Sequence, residues 1–178
     1  MYKRQPLDGP VSVDVAIIGG GYSGLWTAYY LLENDPSLRV LIIEKEFCGY
    51  GASGRNGGWC EGALAGGTEK YAKRSTMSEA LRLERTMFQT VDEIQRVLDS
   101  EDINCDFHKG GFVSVARNLP QALRQRSAVE LARERGTAEE IIRILDADEA
   151  RAHVNATNVH SGIFLSLIHI SEPTRRSM

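Results

Sequence analysis

The sequence predicts a three-layer α/β fold around a parallel sheet, followed by the opening strands and helices of a mixed α+β domain. Three observations carry this expectation: an apolar run at residues 13–18, a glycine cluster directly after it that opens an apolar helix, and a second branched run at residues 39–43. In that order they spell strand, helix, strand within about 30 residues, the repeating unit of parallel sheets.

The first run is far shorter than the roughly 20 residues of a membrane-spanning helix, so it is read as a strand. Gly19, Gly21 and Gly24 follow it in a GxGxxG pattern, with Tyr22 and Ser23 between them. Strand before and helix after give this common string its weight. Gly19 permits the tight turn, Gly21 lets a pyrophosphate reach the backbone, and Gly24 lets the helix pack close to the strand. The helix expected over residues 22–33 points its unsatisfied N–H groups and positive dipole end at those phosphates. Asn34, Asp35 and Pro36 break it. Glu44 ends the second strand, 20 residues after Gly24, where a carboxylate accepts from the ribose hydroxyls of an adenosine and repels a 2′-phosphate. Lys45 beside it is a weaker candidate for the ribose or phosphate. The whole unit is Rossmann-like.

Residues 49–58 read GYGASGRNGG, a run too flexible and small for a helix or strand interior. Gly51, Gly54, Gly57 and Gly58 allow close backbone approach, while Ser53, Arg55 and Asn56 offer a hydroxyl, a fixed cation and an amide. Placed just after Glu44, the loop is suited to the far half of the same dinucleotide.

The stretches DVAIIGGGYSGLWTAYYLL, LIIEKE and GASGRNGGW resemble the amine and D-amino-acid oxidase (DAO-type) superfamily of FAD enzymes. Within it they are most similar to the gamma-glutamylputrescine oxidase and aminophosphonate oxidoreductase branches. The likeness is sharp over residues 14–59 and weaker to about residue 164. It implies FAD as cofactor, with Gly19, Gly21, Tyr22, Ser23 and Gly24 at the pyrophosphate and Glu44 and Lys45 at the adenosine ribose. It further implies that Ser53, Arg55, Asn56, Gly57 and Gly58 lie against the ribityl and isoalloxazine parts, and that the substrate is a small amine or amino acid. Two other functions stay open: an NAD-linked dehydrogenase, against which the 49–58 loop weighs, and a nucleotide-binding module without catalysis.

With 178 residues there is room for one ordinary domain and not for a complete two-domain flavoenzyme. Hydrophobic residues at 42% and charged residues at 25% are the balance of a soluble globular protein. A net charge of −3 gives no electrostatic ground for nucleic acid. Lys3 and Arg4 are followed by Asp8, Gly9 and Pro10 instead of a long apolar run, which is unlike a signal peptide and suggests a cytoplasmic location without a membrane partner. Cys48, Cys60 and Cys105 lack zinc-ligand spacing and are expected to be free thiols, the first two partly buried. His108, His153 and His160 lack any catalytic spacing, so no catalytic residue and no metal ligand is assigned.

Further along, Thr76 and Glu79 form a capping box, and Ala80, Leu83, Met87, Val91, Ile94 and Leu98 recur on one helical face. Arg82, Glu84, Arg85 and Arg96 are expected on the solvated face. Residues 107–116 read as a hairpin about Lys109, Gly110 and Gly111; a helix over 120–135 stops at Gly136; a strand over 141–145 precedes a helix capped by Asp146 and Glu149. The expected division is an extension over 1–12, the first part of an FAD-binding domain over 13–104, the start of a substrate domain over 105–164, and a non-native, mobile tail over 165–178. That tail resembles translated adapter sequence and has no apolar period. The chain is therefore expected to be an N-terminal fragment, weak in FAD binding and inactive alone.

Overall fold

The computed structural model describes residues 6–166 and 168–171, and the chain divides into two compact units, Met1–Gly57 and Gly58–Met178. This division by contacts cuts the chain at a different place from the functional division drawn at residue 104. The remaining residues of the expected extension and tail lie outside the described ones.

In the first unit, strands β1 (Val15–Ile18) and β2 (Val40–Ile43) flank helix α1 (Tyr22–Asn34). The strands are parallel, in register from Val15 opposite Val40 to Ile18 opposite Ile43, and the Gly19 amide donates to the Ile43 carbonyl at 2.8 Å. Ladder and turn are therefore continuous. The helix packs on both strands and buries Ala28. It ends where Pro36 forces Asp35 into extended backbone, φ −144° and ψ 93°. Asn34 Nδ2 donates to the Tyr30 carbonyl at 2.7 Å, and Asp35 Oδ1 accepts from the Ser37 amide at 3.0 Å to turn the chain back toward β2. The expected α/β unit with its parallel sheet is present.

The second unit is largely antiparallel. Its elements are β3 (Trp59–Glu61), α2 (Thr68–Ala72), α3 (Met77–Ser100), β4 (Phe107–Lys109), β5 (Phe112–Ala116), α4 (Leu119–Glu134), β6 (Ile142–Leu145), α5 (Ala147–His153), β7 (Ser161–Leu165) and β8 (Ile168–Ser171). They build two three-stranded sheets, ordered β3-β8-β4 and β5-β7-β6. Leu145, Ala150 and Val159 are its core, with Val113, Val115 and Phe164 packed around them. Asp146 and Glu149 form the expected capping box on α5; at α3 the Thr76 hydroxyl accepts from the Glu79 amide at 3.2 Å.

The structure departs from three expectations. Residues 107–116 are two strands but not a hairpin, because β4 pairs with β8 and β5 with β7. Gly110 and Gly111 carry the chain from one sheet to the next instead of reversing it. Of the tail expected to be mobile over 165–178, Leu165 closes β7 and Ile168–Ser171 forms a strand between β3 and β4. Glu84 is not on the solvated face of α3: it is half-buried and accepts from the hydroxyl of buried Thr68 at 2.5 Å. Four residues from Ala80 and from Phe88, it falls on the inward stripe, beside a cavity of about 350 Å³ between α2, α3 and α4.

Candidate nucleotide site

The site is built in the first unit where β1 runs into α1. Gly21 is the N-cap of α1 and supplies no side chain over the first turn of amides. A Cβ on Gly24 would lie 2.1 Å from the Gly19 carbonyl oxygen, so only glycine lets the helix start this close to the turn. A Cβ on Gly21 would instead meet the Ser53 hydroxyl at 3.0 Å. The second glycine loop thus stands beside the turn where a pyrophosphate would approach.

Glu44 is half-buried at the end of β2. Its Oε1 accepts from the Glu46 amide at 3.0 Å and its Oε2 from the Gly20 amide at 2.8 Å. These two backbone donors, Glu46 first, hold the carboxyl below its ordinary value. The charge is fixed in place, and each oxygen keeps a lone pair for a ribose hydroxyl.

Within the 49–58 loop a short 3₁₀ turn forms at Ala52–Gly54. It is the one departure from the expected irregular run. Ser53 Oγ accepts from the Tyr22 amide at 3.0 Å, and Asn56 Nδ2 donates to the Ser53 carbonyl at 2.7 Å and to the Tyr22 hydroxyl at 3.1 Å. Arg55 lies over the Tyr50 ring at 4.4 Å, and Tyr50 meets Phe47 edge-on at 5.1 Å. The structure therefore brings Gly21, Tyr22, Gly24, Ser53 and Asn56 together with Gly19, while Glu44 joins them through Gly20. The side chains of Ser23 and Lys45 are exposed and stand outside this network. Gly57 has open space around it, and Gly58, with φ +72°, opens the second unit.

Two residues were missed from sequence. Gly20, the middle of three glycines, is buried and bonded to Glu44; the superfluous third glycine was its signal. Tyr50 holds Arg55, and the aromatic beside the loop was the only hint. Cys48 is exposed, not partly buried, whereas Cys60 is half-buried and burial pushes its thiol up. Among the described residues no three His, Cys, Asp or Glu side chains converge as a metal site.

A profile of the FAD dependent oxidoreductase family, DAO, matches residues 14–175. The chain belongs to the DAO family. The match continues past residue 164, where the sequence resemblance was expected to fade. The gamma-glutamylputrescine oxidoreductase of Escherichia coli (strain K12) is 31% identical over 159 residues, covering 89% of this chain and 36% of that protein. The DAO chain therefore spans about a third of the length of this curated relative. Among solved structures, the L-amino acid deaminase from Proteus myxofaciens, in complex with anthranilate, superposes with a TM-score of 0.71 at 19% identity, covering 97% of this chain and 36% of that one. The FAD-bound L-alpha-glycerophosphate oxidase from Mycoplasma pneumoniae gives 0.61 at 20% identity, over 90% and 39%. FAD is the cofactor of this family, and a helix start with glycine at its N-cap, flanked by a fixed carboxylate, fits its adenosine diphosphate end.

Proposed function

We propose that this chain provides the FAD-binding turn and flavin-facing loop of an oxidoreductase acting on the carbon–nitrogen bond of a small amine or amino acid. The observation that carries the proposal is the continuity of Gly19–Gly21, Glu44 and the 49–56 loop as one hydrogen-bonded surface.

In this proposal the turn of Gly19, Gly21, Tyr22, Ser23 and Gly24 receives the pyrophosphate, with the Ser23 amide as donor while the Tyr22 amide stays on Ser53 Oγ. Glu44 receives the ribose hydroxyls and disfavours a 2′-phosphate, with Lys45 near the same end. Ser53, Arg55, Asn56, Gly57 and Gly58 hold the flavin half, where Arg55 is kept in one orientation by Tyr50. FAD, when bound, supplies a two-electron acceptor for the hydride on the carbon beside nitrogen, leaving an imine that water hydrolyses. Support for a nitrogen donor comes from the names of the Escherichia coli and Proteus relatives. The Mycoplasma pneumoniae neighbour is named for glycerophosphate instead. No helix among the described residues is long and apolar enough to cross a membrane, and a cytoplasmic location belongs to the same proposal. The chain alone is proposed to hold FAD weakly and to oxidise nothing, since Ile18 at 89% exposure leaves its parallel sheet open on one face.

Fluorescence titration of the chain with FAD tests the site. Quenching that is lost in Gly21→Val supports it, and equal quenching by that variant sinks it. Donor class is tested on the longest form its gene encodes, by bleaching of the yellow bound flavin. Bleaching by amines or amino acids is expected, and bleaching by hydroxy acids alone replaces the donor assignment.

A further inference from the structure

We propose that Tyr22 is a positioning residue: it ties the second glycine loop to the dinucleotide turn, so that binding the flavin half depends on a residue at the pyrophosphate end. The proposal rests on the FAD function above.

Tyr22 is the first residue of α1 and touches the loop twice. Its amide is one of the helix's orphan donors and is satisfied by Ser53 Oγ, 31 positions later in the chain, at 3.0 Å. Its hydroxyl accepts from Asn56 Nδ2, 34 positions later, at 3.1 Å. Asn56 in turn donates to the Ser53 carbonyl at 2.7 Å, which closes a ring of three residues: Tyr22, Ser53 and Asn56. Burial does not explain the tyrosine, because the residue is 57% exposed. A phenylalanine would fill the same space, so the hydroxyl is what distinguishes the residue here.

The loop it holds needs holding. Gly49, Gly51, Gly54 and Gly57 give this segment more backbone freedom than any other residue type would, and freedom lost on binding weakens the complex. A tether formed before the cofactor arrives removes part of that loss. Since the tether acts on the loop and not on the turn, it strengthens FAD and leaves a ligand that ends at the pyrophosphate unaffected.

The test compares FAD with ADP on the full 178-residue chain, wild type against Tyr22→Phe. One net hydrogen bond corresponds to about a fivefold change, so FAD should weaken by about fivefold in Tyr22→Phe while ADP stays within about twofold. In an Asn56→Ala background the same substitution should add nothing further. In the ligand-free chain, hydrogen exchange at the Tyr22 and Arg55 amides should quicken in Tyr22→Phe, and Asn56→Ala should reproduce it. Equal weakening of ADP and FAD, additive losses in the double variant, or unchanged exchange would each overturn the tether. A wild-type chain that binds ADP and FAD equally well refutes the flavin-side role of the loop, and the exchange measurement still decides the tether itself.

Discussion

Arg39 grips Asp14 at the foot of the parallel sheet: Nη2 lies 2.9 Å from Oδ1, Nε lies 3.1 Å from Oδ2, and the Arg39 amide donates to Oδ2 at 2.8 Å. The side-chain bond from Arg39 is the main cause holding the Asp14 carboxyl at about 2, against an ordinary 3.8. A depressed carboxyl stabilises the fold above its unfolded value, and that contribution disappears as pH falls through the folded value. Asp14→Asn should therefore lower Tm at neutral pH, with the difference from wild type shrinking between about pH 4 and pH 2. Both side chains are largely exposed, so added salt should shrink it too. Calorimetry over a pH series checks this; a difference that persists unchanged at pH 2 contradicts it.

Glu44→Ala removes the acceptor of the Gly20 and Glu46 amides together with the proposed ribose partner. FAD and ADP should both weaken by roughly tenfold or more, since bonds to a charged group are the stronger kind. Glu44→Gln should recover part of the loss. Far-UV circular dichroism should stay that of wild type, and unaltered ADP affinity in Glu44→Ala would remove the carboxylate from the site. Because the two amides hold Glu44 ionised below its ordinary range, binding should persist as pH falls toward that range and fail only beneath it.

Two glycines separate packing from ligand contact. A methyl at Gly24 collides with a backbone oxygen that no rotamer change can move aside, so Gly24→Ala should cost about 3 kcal/mol, seen as a lower Tm without any ligand. Gly57 has nothing within 4 Å of the same position, and Gly57→Ala should leave stability within about 0.5 kcal/mol. Any loss of FAD in Gly57→Ala then reports on the ligand's own approach. A stable Gly24→Ala chain is the result that breaks this distinction.

Thr68 and Glu84 offer a test in the second unit. Thr68→Val preserves shape but leaves the half-buried Glu84 oxygen without its hydroxyl donor, which should cost about 1–3 kcal/mol. Adding Glu84→Leu to Thr68→Val should restore part of it, because removing both partners avoids the orphaned group. Chemical denaturation measures both; a double variant as unstable as the sum of its parts excludes the pairing.

The first unit was legible because short-range spacing determines it: a helix that starts this close to the preceding turn needs glycine at a set position, and a break such as Asn34-Asp35-Pro36 is local chemistry. The second unit was less so. Which strand pairs with residues 107–116 depends on residues 161–171, a partner about fifty positions away whose short apolar runs carry no distinctive period. Glu84 was misplaced for a related reason. Charge suggested the solvated face, but a buried hydroxyl on another element makes an inward carboxylate tolerable, and helical spacing from Ala80 was the better guide. At the candidate site, distance from the glycines singles out Glu44, while Tyr50 under Arg55 had no rule of spacing to reveal it.

The Gly20 peptide faces two ways: its amide donates to Glu44. Its carbonyl accepts from the Gly49 amide at 2.8 Å, and the space where its side chain would stand is walled by Cys48 Sγ at 2.9 Å. For anyone altering cofactor preference by transplanting segments, the turn, the acidic position and the entry to the loop are a single graft. A donor sequence with alanine at position 20 brings a methyl that forces the recipient's Cys48 side chain to shift and presses on the Cys48 backbone. An exchange confined to the acidic position removes an acceptor on which the turn depends. Residues 19–24 and 44–49 should be exchanged together.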